Sequence, residues 1–235
     1  MFEIRKAGDR GHANHGWLDS HHTFSFGSYY DSRHMGFSAL RVINDDRVTP
    51  GRGFGAHSHR DMEIVSYVLE GALEHKDSMG NGSVLRPGQV QLMSAGRGVT
   101  HSEFNHSATE PVHFLQIWIL PDRTGEPAGY QELPALEEPS SKLRLVVSPD
   151  GEEGSLQIKQ DARIRVARLA PGESIELALR PERAGWLHVA TGSVRFADGT
   201  LAAGDGAGYL DETLLKLEAQ EESQVLVFDL PGPAR

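Results

Sequence analysis

The 235-residue chain contains no cysteine, and this absence excludes several kinds of protein. Without a thiol there is no disulfide framework, iron–sulfur cluster, zinc finger or cysteine nucleophile. The sequence also lacks any uninterrupted apolar run near the roughly 20 residues that span a membrane. No apolar region of a signal peptide follows the first six residues, so the expected compartment is the cytoplasm.

Positive charge is also in short supply. The 23 Lys and Arg side chains are outnumbered by 33 Asp and Glu, which gives a formal net charge of −10. Such an acidic chain is a poor candidate for binding the phosphate backbone of a nucleic acid, and no direct nucleic-acid binding is expected. Hydrophobic residues make up 38% and charged residues 24% of the sequence, a composition typical of a folded globular protein.

Histidine and charge are unevenly distributed along the chain. Eleven of the 12 histidines fall within residues 12–113, and the remaining one is His188. Residues 1–125 carry 12 basic and 14 acidic side chains, whereas residues 126–235 carry 11 and 19. The intervening stretch, residues 121–139, is polar and rich in Pro, which is typical of a connector. We therefore expect two domains with a boundary between residues 125 and 126.

The secondary structure is predicted to be overwhelmingly β. Short runs rich in β-branched and aromatic residues alternate with Gly- and Pro-containing turns along the whole chain. Residues 211–220 are the one segment that fits either a helix or a strand. A faint repeat, in which Gly71 and Gly88 correspond to Gly192 and Gly204, favours two tandem β-barrels of related build.

Two Gly-rich segments carry paired side chains that bind metals. His57 and His59 lie two positions apart, and so do His101 and Glu103. Residues with that spacing project from the same face of a strand, so the four side chains would converge if the two segments paired across a barrel. Three imidazoles and one carboxylate suit a divalent first-row metal: Fe, Mn, Ni, Cu, Co or Zn. Such a site leaves positions open for an oxygen ligand and dioxygen.

Other candidate residues near these segments remain open. Glu63 shares the parity of the first histidine pair, so it either faces the metal or pairs with Arg60 or another arginine. Two carboxylates would crowd a three-histidine site, so Glu63 and Glu103 are not both expected to be ligands. His21 and His22 are adjacent and point to opposite faces of a strand, which excludes both from ligating together. Hydrogen bonds are expected to satisfy the remaining histidines of this half, and any one of them is a candidate for supporting a metal ligand: His12, His15, His34, His75, His106 and His113.

The sequence resembles the pirins, a bicupin family that includes bacterial quercetin 2,3-dioxygenases. His57, Ser58 and His59 followed by Glu63 resemble the first cupin motif, and the segment containing His101 loosely matches the second. The strong resemblance covers about residues 20–121, and the second half matches in length and β character only. The segments that carry the resemblance are residues 23–31, 40–46, 53–63, 67–71, 75–81, 90–96 and 101–105.

This resemblance implies a fold and a ligand set. The implied fold is all-β, a bicupin of two tandem cupin barrels of the jelly-roll type. Pirin ligands are the two histidines of the first motif and the His and Glu of the second, which are His57, His59, His101 and Glu103 here. The glutamate of the first motif, Glu63, is generally not a ligand in pirins. The resemblance implies one divalent ion in the domain at residues 1–125, with Fe(II) expected and Zn, Mn, Ni, Co or Cu as alternatives, and a metal-free cupin-like domain at residues 126–235.

The resemblance also implies a reaction. It is the dioxygen-dependent opening of the central ring of a flavonol such as quercetin, with release of carbon monoxide. Glu103 would be the catalytic base that takes the proton of the substrate's 3-hydroxyl. One alternative is a non-enzymatic pirin whose metal senses redox state and whose barrels bind a transcription or metabolic protein. Another is a cupin that acts on a different small molecule. The expected partners are thus an aromatic substrate and dioxygen, or a protein, but not a membrane.

Overall fold

The computed structural model describes residues 2–135 and 140–232. Within these residues the regular secondary structure is β-strand, apart from two short 3₁₀ helices at Ala7–Asp9 and Glu152–Gly154. Residues 136–139 of the expected connector lie outside the described residues. No helix in the described part of the chain is long and apolar enough to cross a membrane. The expected all-β fold is confirmed.

The strands are short, as the spacing of the turn residues predicted. Those of the first half are Phe2–Arg5 (β1), Gly11–Asn14 (β2), Leu18–His22 (β3), Leu40–Val48 (β4), Gly53–His59 (β5), Glu63–Glu70 (β6), Leu73–Asp77 (β7), Gly82–Leu85 (β8), Val90–Ser94 (β9), Val99–Asn105 (β10), Val112–Ile119 (β11) and Gly129–Leu133 (β12). Those of the second half are Ser140–Ser148 (β13), Leu156–Gln157 (β14), Arg163–Leu169 (β15), Ser174–Ala178 (β16), Ala184–Thr191 (β17), Ser193–Phe196 (β18), Gly199–Ala202 (β19), Gly206–Leu210 (β20), Leu214–Ala219 (β21) and Ser223–Leu230 (β22).

These strands form two barrels of the same build. The first contains a seven-stranded sheet in the order β12-β9-β6-β11-β4-β3-β2 and a four-stranded sheet in the order β5-β10-β7-β8. The second contains β1-β20-β17-β22-β15-β13-β14 and β16-β21-β18-β19. Every strand of one barrel therefore has a counterpart at the same place in the other. The expectation of two tandem jelly-roll barrels is confirmed, and the faint sequence repeat reflects this correspondence.

The two barrels exchange their first strands. Strand β1 precedes the first barrel but pairs with β20 at the edge of the second, and Phe2 lies opposite Tyr209. Strand β12 precedes β13 but pairs with β9 at the edge of the first barrel. The boundary expected between residues 125 and 126 stays a prediction, and strand pairing crosses it in both directions.

The repeat glycines occupy positions that only glycine accommodates easily. Gly71 and Gly192 both have φ of 76°, and Gly88 and Gly204 have φ of 82° and 83°. A Cβ atom on Gly71 would lie 2.4 Å from a backbone oxygen, and one on Gly192 would lie 2.3 Å from another. Left-handed turns between consecutive strands therefore require glycine at the same places in both barrels.

One hydrophobic core joins the two barrels. It contains buried side chains from both seven-stranded sheets, among them Val65, Ile117, Val166 and Phe228. The Tyr67 hydroxyl, from the first barrel, donates a hydrogen bond to Gln224 Oε1 of the second at 2.7 Å. The large sheets thus pack face to face, and each covers the apolar outer face of the other.

The segment at residues 211–220 is a strand in its central part. Strand β21 pairs with both β16 and β18. Its side chains alternate between exposed and buried, with Leu215, Leu217 and Ala219 pointing into the second barrel. This period of two matches a strand with one buried face and not a helix.

Candidate metal centre

The paired candidate ligands lie on adjacent antiparallel strands of the small sheet in the first barrel. The register places His101 of β10 opposite His57 of β5, and Val99 opposite His59. Along β10 the alternation buries His101 and Glu103, which are each 2% exposed. Both expectations about the strands hold, because each pair shares a face and the two strands are hydrogen-bonded neighbours.

The three histidines of these strands form a compact cluster. Their ring nitrogens lie within 4.8 Å of one another, and Nε2 of His57 is 3.1 Å from Nε2 of His101. Two nitrogens that are each about 2.1 Å from one ion, at a right angle, lie about 3 Å apart. Nδ1 of His57 donates to the Gly55 carbonyl oxygen at 2.8 Å, which leaves Nε2 with the free lone pair that a metal needs.

Burial keeps the imidazoles of His59 and His101 neutral at neutral pH. It lowers the pKa of His101 to about 3, with the neighbouring His57 and His59 adding to the effect. The pKa of His59 is lowered to about 4 by burial and by His57. Neutral imidazole is the form that ligates metals. The protonation states of the cluster therefore fit a metal centre.

Glu103 lies beside this cluster and is held by three neutral side chains. Its Oε1 accepts hydrogen bonds from Ser66 Oγ at 3.2 Å and from Gln91 Nε2 at 3.1 Å. Its Oε2 accepts one from Gln116 Nε2 at 2.6 Å. Burial raises the pKa of Glu103 to about 7, and these hydrogen bonds oppose the rise.

The electrostatics of Glu103 also fit a divalent cation. Among the described residues, only neutral side chains oppose the cost of burying its charge. A buried carboxylate without a positive neighbour is costly, and a bound cation at the adjacent histidines would remove much of that cost. The donor set of imidazoles and a carboxylate, without thiolates, matches a first-row transition metal.

His75 is a neighbour of the centre, a role that the sequence left open among six histidines. It lies on β7 opposite Glu103, and His75, His101 and Glu103 form a second group with ligand atoms within 4.8 Å of one another. Its Nε2 is hydrogen bonded to Asp77 Oδ2 at 3.2 Å, and its ring stacks on Tyr130. Nε2 of His75 thus has the expected hydrogen bond, whereas Nδ1 is buried without a partner among the described residues. The spacing of His75 and Asp77, two apart, was the available signal.

Among the described residues, Glu63 neither joins the histidine cluster nor pairs with an arginine, which leaves the non-ligand role that the resemblance implies. Glu63 shares a face of β6 with Val65, which packs in the core between the barrels, whereas Ser66 on the opposite face reaches Glu103. Its carboxylate accepts hydrogen bonds from Ser94 Oγ at 2.7 Å and from the Lys159 backbone N–H at 3.3 Å. The turn between β5 and β6 contains Asp61 with φ of 48°. The alternation of side-chain directions along β5 therefore does not continue into β6.

Hydrogen bonds satisfy several of the other histidines, as expected. His106 bonds to Glu74 at 3.0 Å and His113 to Asp45 at 2.7 Å. His12 bonds to Asp19 at 2.6 Å and stacks on His21 across the β2–β3 hairpin. His12, Asp19 and His21 make a third group of possible metal ligands. His21 lies near the positive charge of Arg10, which helps to lower its pKa and disfavours a cation there.

A cavity of about 640 Å³ opens beside the histidine cluster. Its lining includes His57, His59 and Glu103. Aromatic side chains make up much of the remaining wall: Trp17, Phe26, Phe54 and Trp118. Trp118 lies edge-to-face with His59 at a ring distance of 5.0 Å. This cavity can hold a flat aromatic molecule directly against the cluster.

A hydrogen-bonded chain on the large sheet lines the same cavity, and sequence reasoning missed it. Ser20 Oγ donates to Asp46 Oδ1 at 2.5 Å, and Nε2 of His22 lies 2.9 Å from Ser20 Oγ. Burial raises the pKa of Asp46 to about 7, and the negative charges of Asp45 and Glu103 add to the rise. Burial lowers the pKa of His22 to about 4.

The chain was compared with known proteins. A family model described as Pirin matches residues 3–119, and one described as a quercetinase C-terminal cupin domain matches residues 145–230. Quercetin 2,3-dioxygenase of Escherichia coli strain K12 is 48% identical over 231 residues, which cover 98% of this chain and 99% of that protein.

Solved structures agree with these matches. The structure of the bacterial pirin YhhW from Escherichia coli in complex with nickel(II) superposes with a TM-score of 0.93 at 46% identity, and covers 99% of this chain and 100% of that one. The Escherichia coli protein YhaK superposes with a TM-score of 0.74 at 33% identity, over 94% of this chain and 98% of its own.

Proposed function

This chain belongs to the pirin family, and from that membership and the geometry of its centre we propose that it is a metal-dependent dioxygenase acting on a flavonol such as quercetin. In the proposed reaction, dioxygen opens the central ring of the flavonol and carbon monoxide is released. The observation that carries the proposal is the cluster of three imidazoles beside a buried carboxylate, at the wall of an aromatic-lined cavity.

The proposed ligands are His57, His59, His101 and Glu103, and the proposed ion is Fe(II). A divalent ion bound there would act as a Lewis acid and hold the oxygen atoms of the substrate. The protein's part is to fix the geometry. The Gly55 carbonyl sets the tautomer of His57, and burial keeps the rings of His59 and His101 neutral.

The aromatic walls support a flavonol as the substrate class. Trp118 and Phe54 flank the histidine cluster, at ring distances of 5.0 Å from His59 and 6.5 Å from His57. Flat aromatic side chains bind flat aromatic ligands by offset stacking and edge-to-face contacts. They would hold the oxygenated edge of the flavonol toward the ligands and exclude water from the reacting atoms.

Glu103 is the proposed general base. Burial raises the pKa of Glu103 to about 7 in the metal-free site. A carboxylate placed beside the substrate's 3-hydroxyl could take its proton and return it later. Ser66, Gln91 and Gln116 hold the carboxylate in place from the large sheet. Because they are neutral, they orient Glu103 without removing its basicity.

The substitution Glu103→Gln tests these roles. If Glu103 is the base, the variant should keep much of its metal and lose flavonol cleavage by about 10²–10⁴-fold. If it is only a ligand, metal content and activity should fall together. Glu63→Gln is the matched control, because Glu63 is equally buried and faces away from the centre. It should keep the metal and most of the activity.

The measurement combines metal analysis, flavonol absorbance, oxygen uptake and carbon monoxide release on protein loaded with defined metals. Loss of metal in Glu63→Gln but not in Glu103→Gln would reverse the assignment of the two carboxylates. If the metal-loaded wild type consumes no oxygen with any flavonol, the dioxygenase proposal fails, and the redox-sensing pirin that binds a protein partner takes its place.

A further inference from the structure

Asp46 is a buried carboxylate in the cavity that the metal chemistry does not use. It is 3% exposed and lies on β4 of the large sheet, whereas His57, His59 and His101 lie on the small sheet. Asp46, His57 and His59 line the same cavity of about 640 Å³. A ligand that contacts the histidine cluster can therefore reach Asp46 with its other end.

The fold itself does not require a carboxylate at this position. Asp46 lies opposite Phe114 on β11, and the matching pair in the second barrel is Ala167 opposite Val225. Ala167 is fully buried among apolar side chains. The same barrel position is thus filled by a methyl group in one half and by a costly buried carboxylate in the other, which is typical of a functional residue.

Ser20 and His22 fix the orientation of this carboxylate. The single hydroxyl proton of Ser20 goes to Asp46 Oδ1, so His22 must donate its Nε2–H to Ser20 Oγ. Neutral His22 supplies that proton because burial lowers its pKa to about 4. This chain of hydrogen bonds uses only Oδ1 of Asp46. The other carboxylate oxygen, Oδ2, remains able to accept a hydrogen bond from a ligand.

We propose that Asp46 accepts a hydrogen bond from a phenolic hydroxyl of the flavonol other than the 3-hydroxyl, with Ser20 and His22 as its positioning residues. This inference rests on the proposed function and narrows the substrate class to flavonols that carry further hydroxyl groups. A site built to bind a hydroxyl discriminates strongly against an analogue that lacks it, because its polar group is then left buried without a partner.

The test compares quercetin with 3-hydroxyflavone, which keeps the 3-hydroxyl and the carbonyl but has no other hydroxyl. In the metal-loaded full-length protein, Asp46→Ala should raise KM for quercetin about tenfold and leave KM for 3-hydroxyflavone within about twofold. Asp46→Asn keeps an acceptor oxygen and should give an intermediate value. Ser20→Ala should shift the selectivity in the same direction by a smaller factor.

Asp45→Asn is the matched control. Asp45 is the neighbouring buried carboxylate, but it points away from the cavity and pairs with Arg10 and His113. It should leave the ratio of the two KM values unchanged. An equal change for both substrates in Asp46→Ala, or an unchanged ratio in Asp46→Ala and Ser20→Ala, would overturn the inference.

Binding measurements separate this inference from the proposed reaction. Absorbance titration of the metal-loaded protein gives the Kd of each flavonol without turnover. If the wild type binds both flavonols but cleaves neither, the proposed reaction fails, while a tenfold weaker Kd for quercetin alone in Asp46→Ala still supports the inference. If the wild type binds neither flavonol, both proposals are overturned.

Discussion

Where the first barrel carries His101, the second carries Leu217. In the first, His101 lies opposite His57 and Val99 opposite His59. In the second, Leu217 lies opposite Ile175 and Leu215 opposite Leu177. The strand order and register are the same, but every imidazole is replaced by an aliphatic side chain. Two barrels of one build are therefore stable with either interior, and the metal cluster is not what determines the fold.

The polar support around Glu103 is replaced in the same way. Two residues further along the same strand in each barrel, Glu103 corresponds to Ala219, which is buried in the core of the second barrel. The hydrogen-bond donors to Glu103 also have apolar counterparts by strand register: Leu187 for Ser66, Ala207 for Gln91 and Val227 for Gln116. Polarity in the first barrel is thus concentrated around one carboxylate, which indicates selection for chemistry rather than for packing.

The largest effect is expected from removing the second barrel. A chain that ends before β13 would expose the apolar face that Val65 and Ile117 share with the second large sheet, and would leave β1 without β20. We expect this fragment to aggregate. Size-exclusion chromatography and light scattering measure the outcome. A soluble, fully active fragment would show that the barrels are independent units.

Exchanging residues between the barrels is expected to have the next largest effect. His101→Leu should keep the β-type circular dichroism and weaken metal binding more than about 100-fold, because a direct ligand is lost. The reciprocal Leu217→His should gain no metal, since its neighbours are aliphatic, and should lower the free energy of unfolding by roughly 2–4 kcal/mol. Metal analysis and denaturant unfolding check both. Unfolding of His101→Leu would mean that the metal site is structural.

The smallest effect concerns pH, to which two buried groups, Asp46 in the first barrel and His188 in the second, should respond in opposite directions in metal-free protein. The pKa of Asp46 is raised to about 7, so its contribution to stability is full below its unfolded value near 4 and is lost as the pH rises through 7. The pKa of His188 in the second barrel is lowered to about 4 by burial and Arg10, with Asp45 and Asp205 opposing the shift. Its contribution is full above 6.5 and is lost as the pH falls toward 4.

Two variants separate the loss of stability at high pH from the loss at low pH. Asp46→Ala should reduce the loss of unfolding free energy between pH 6.5 and 8 by about 1 kcal/mol. His188→Leu should reduce the loss between pH 6.5 and 5 by about 1–2 kcal/mol. Urea unfolding at each pH gives these values. If Asp46→Ala instead reduced the loss at low pH and His188→Leu the loss at high pH, the directions assigned to the two groups would be reversed.

The strands and the shared faces of the candidate ligands could be predicted because they depend on residues close together in the chain. The spacing of His57 and His59, and of His101 and Glu103, predicted which side chains share a strand face, since that depends only on the alternation of a strand. The alternation did not predict the face of Glu63, because a turn with positive φ at Asp61 separates Glu63 from β5 and a new strand begins after it.

The rest of the site depends on contacts between residues far apart in the chain. Ser20 meets Asp46 only because β3 pairs with β4 after a long connection. The donors to Glu103 come from three different strands, β6, β9 and β11. No local pattern marks such contacts. The exchange of β1 and β12 was missed for the same reason, because a four- or five-residue strand carries no signal of which sheet it will join.

The exchanged strands also bear on how the chain can fold during synthesis. The large sheet of the first barrel is incomplete until β12 has left the ribosome, and β1 has to wait for β20, which is made some 200 residues later. Until then β1 is an unpaired strand with part of its partner sheet missing. Closing such long loops late slows folding and leaves strand edges open to other chains. Nascent chains of this protein are therefore expected to need protection by chaperones until the final strands of the second barrel are in place.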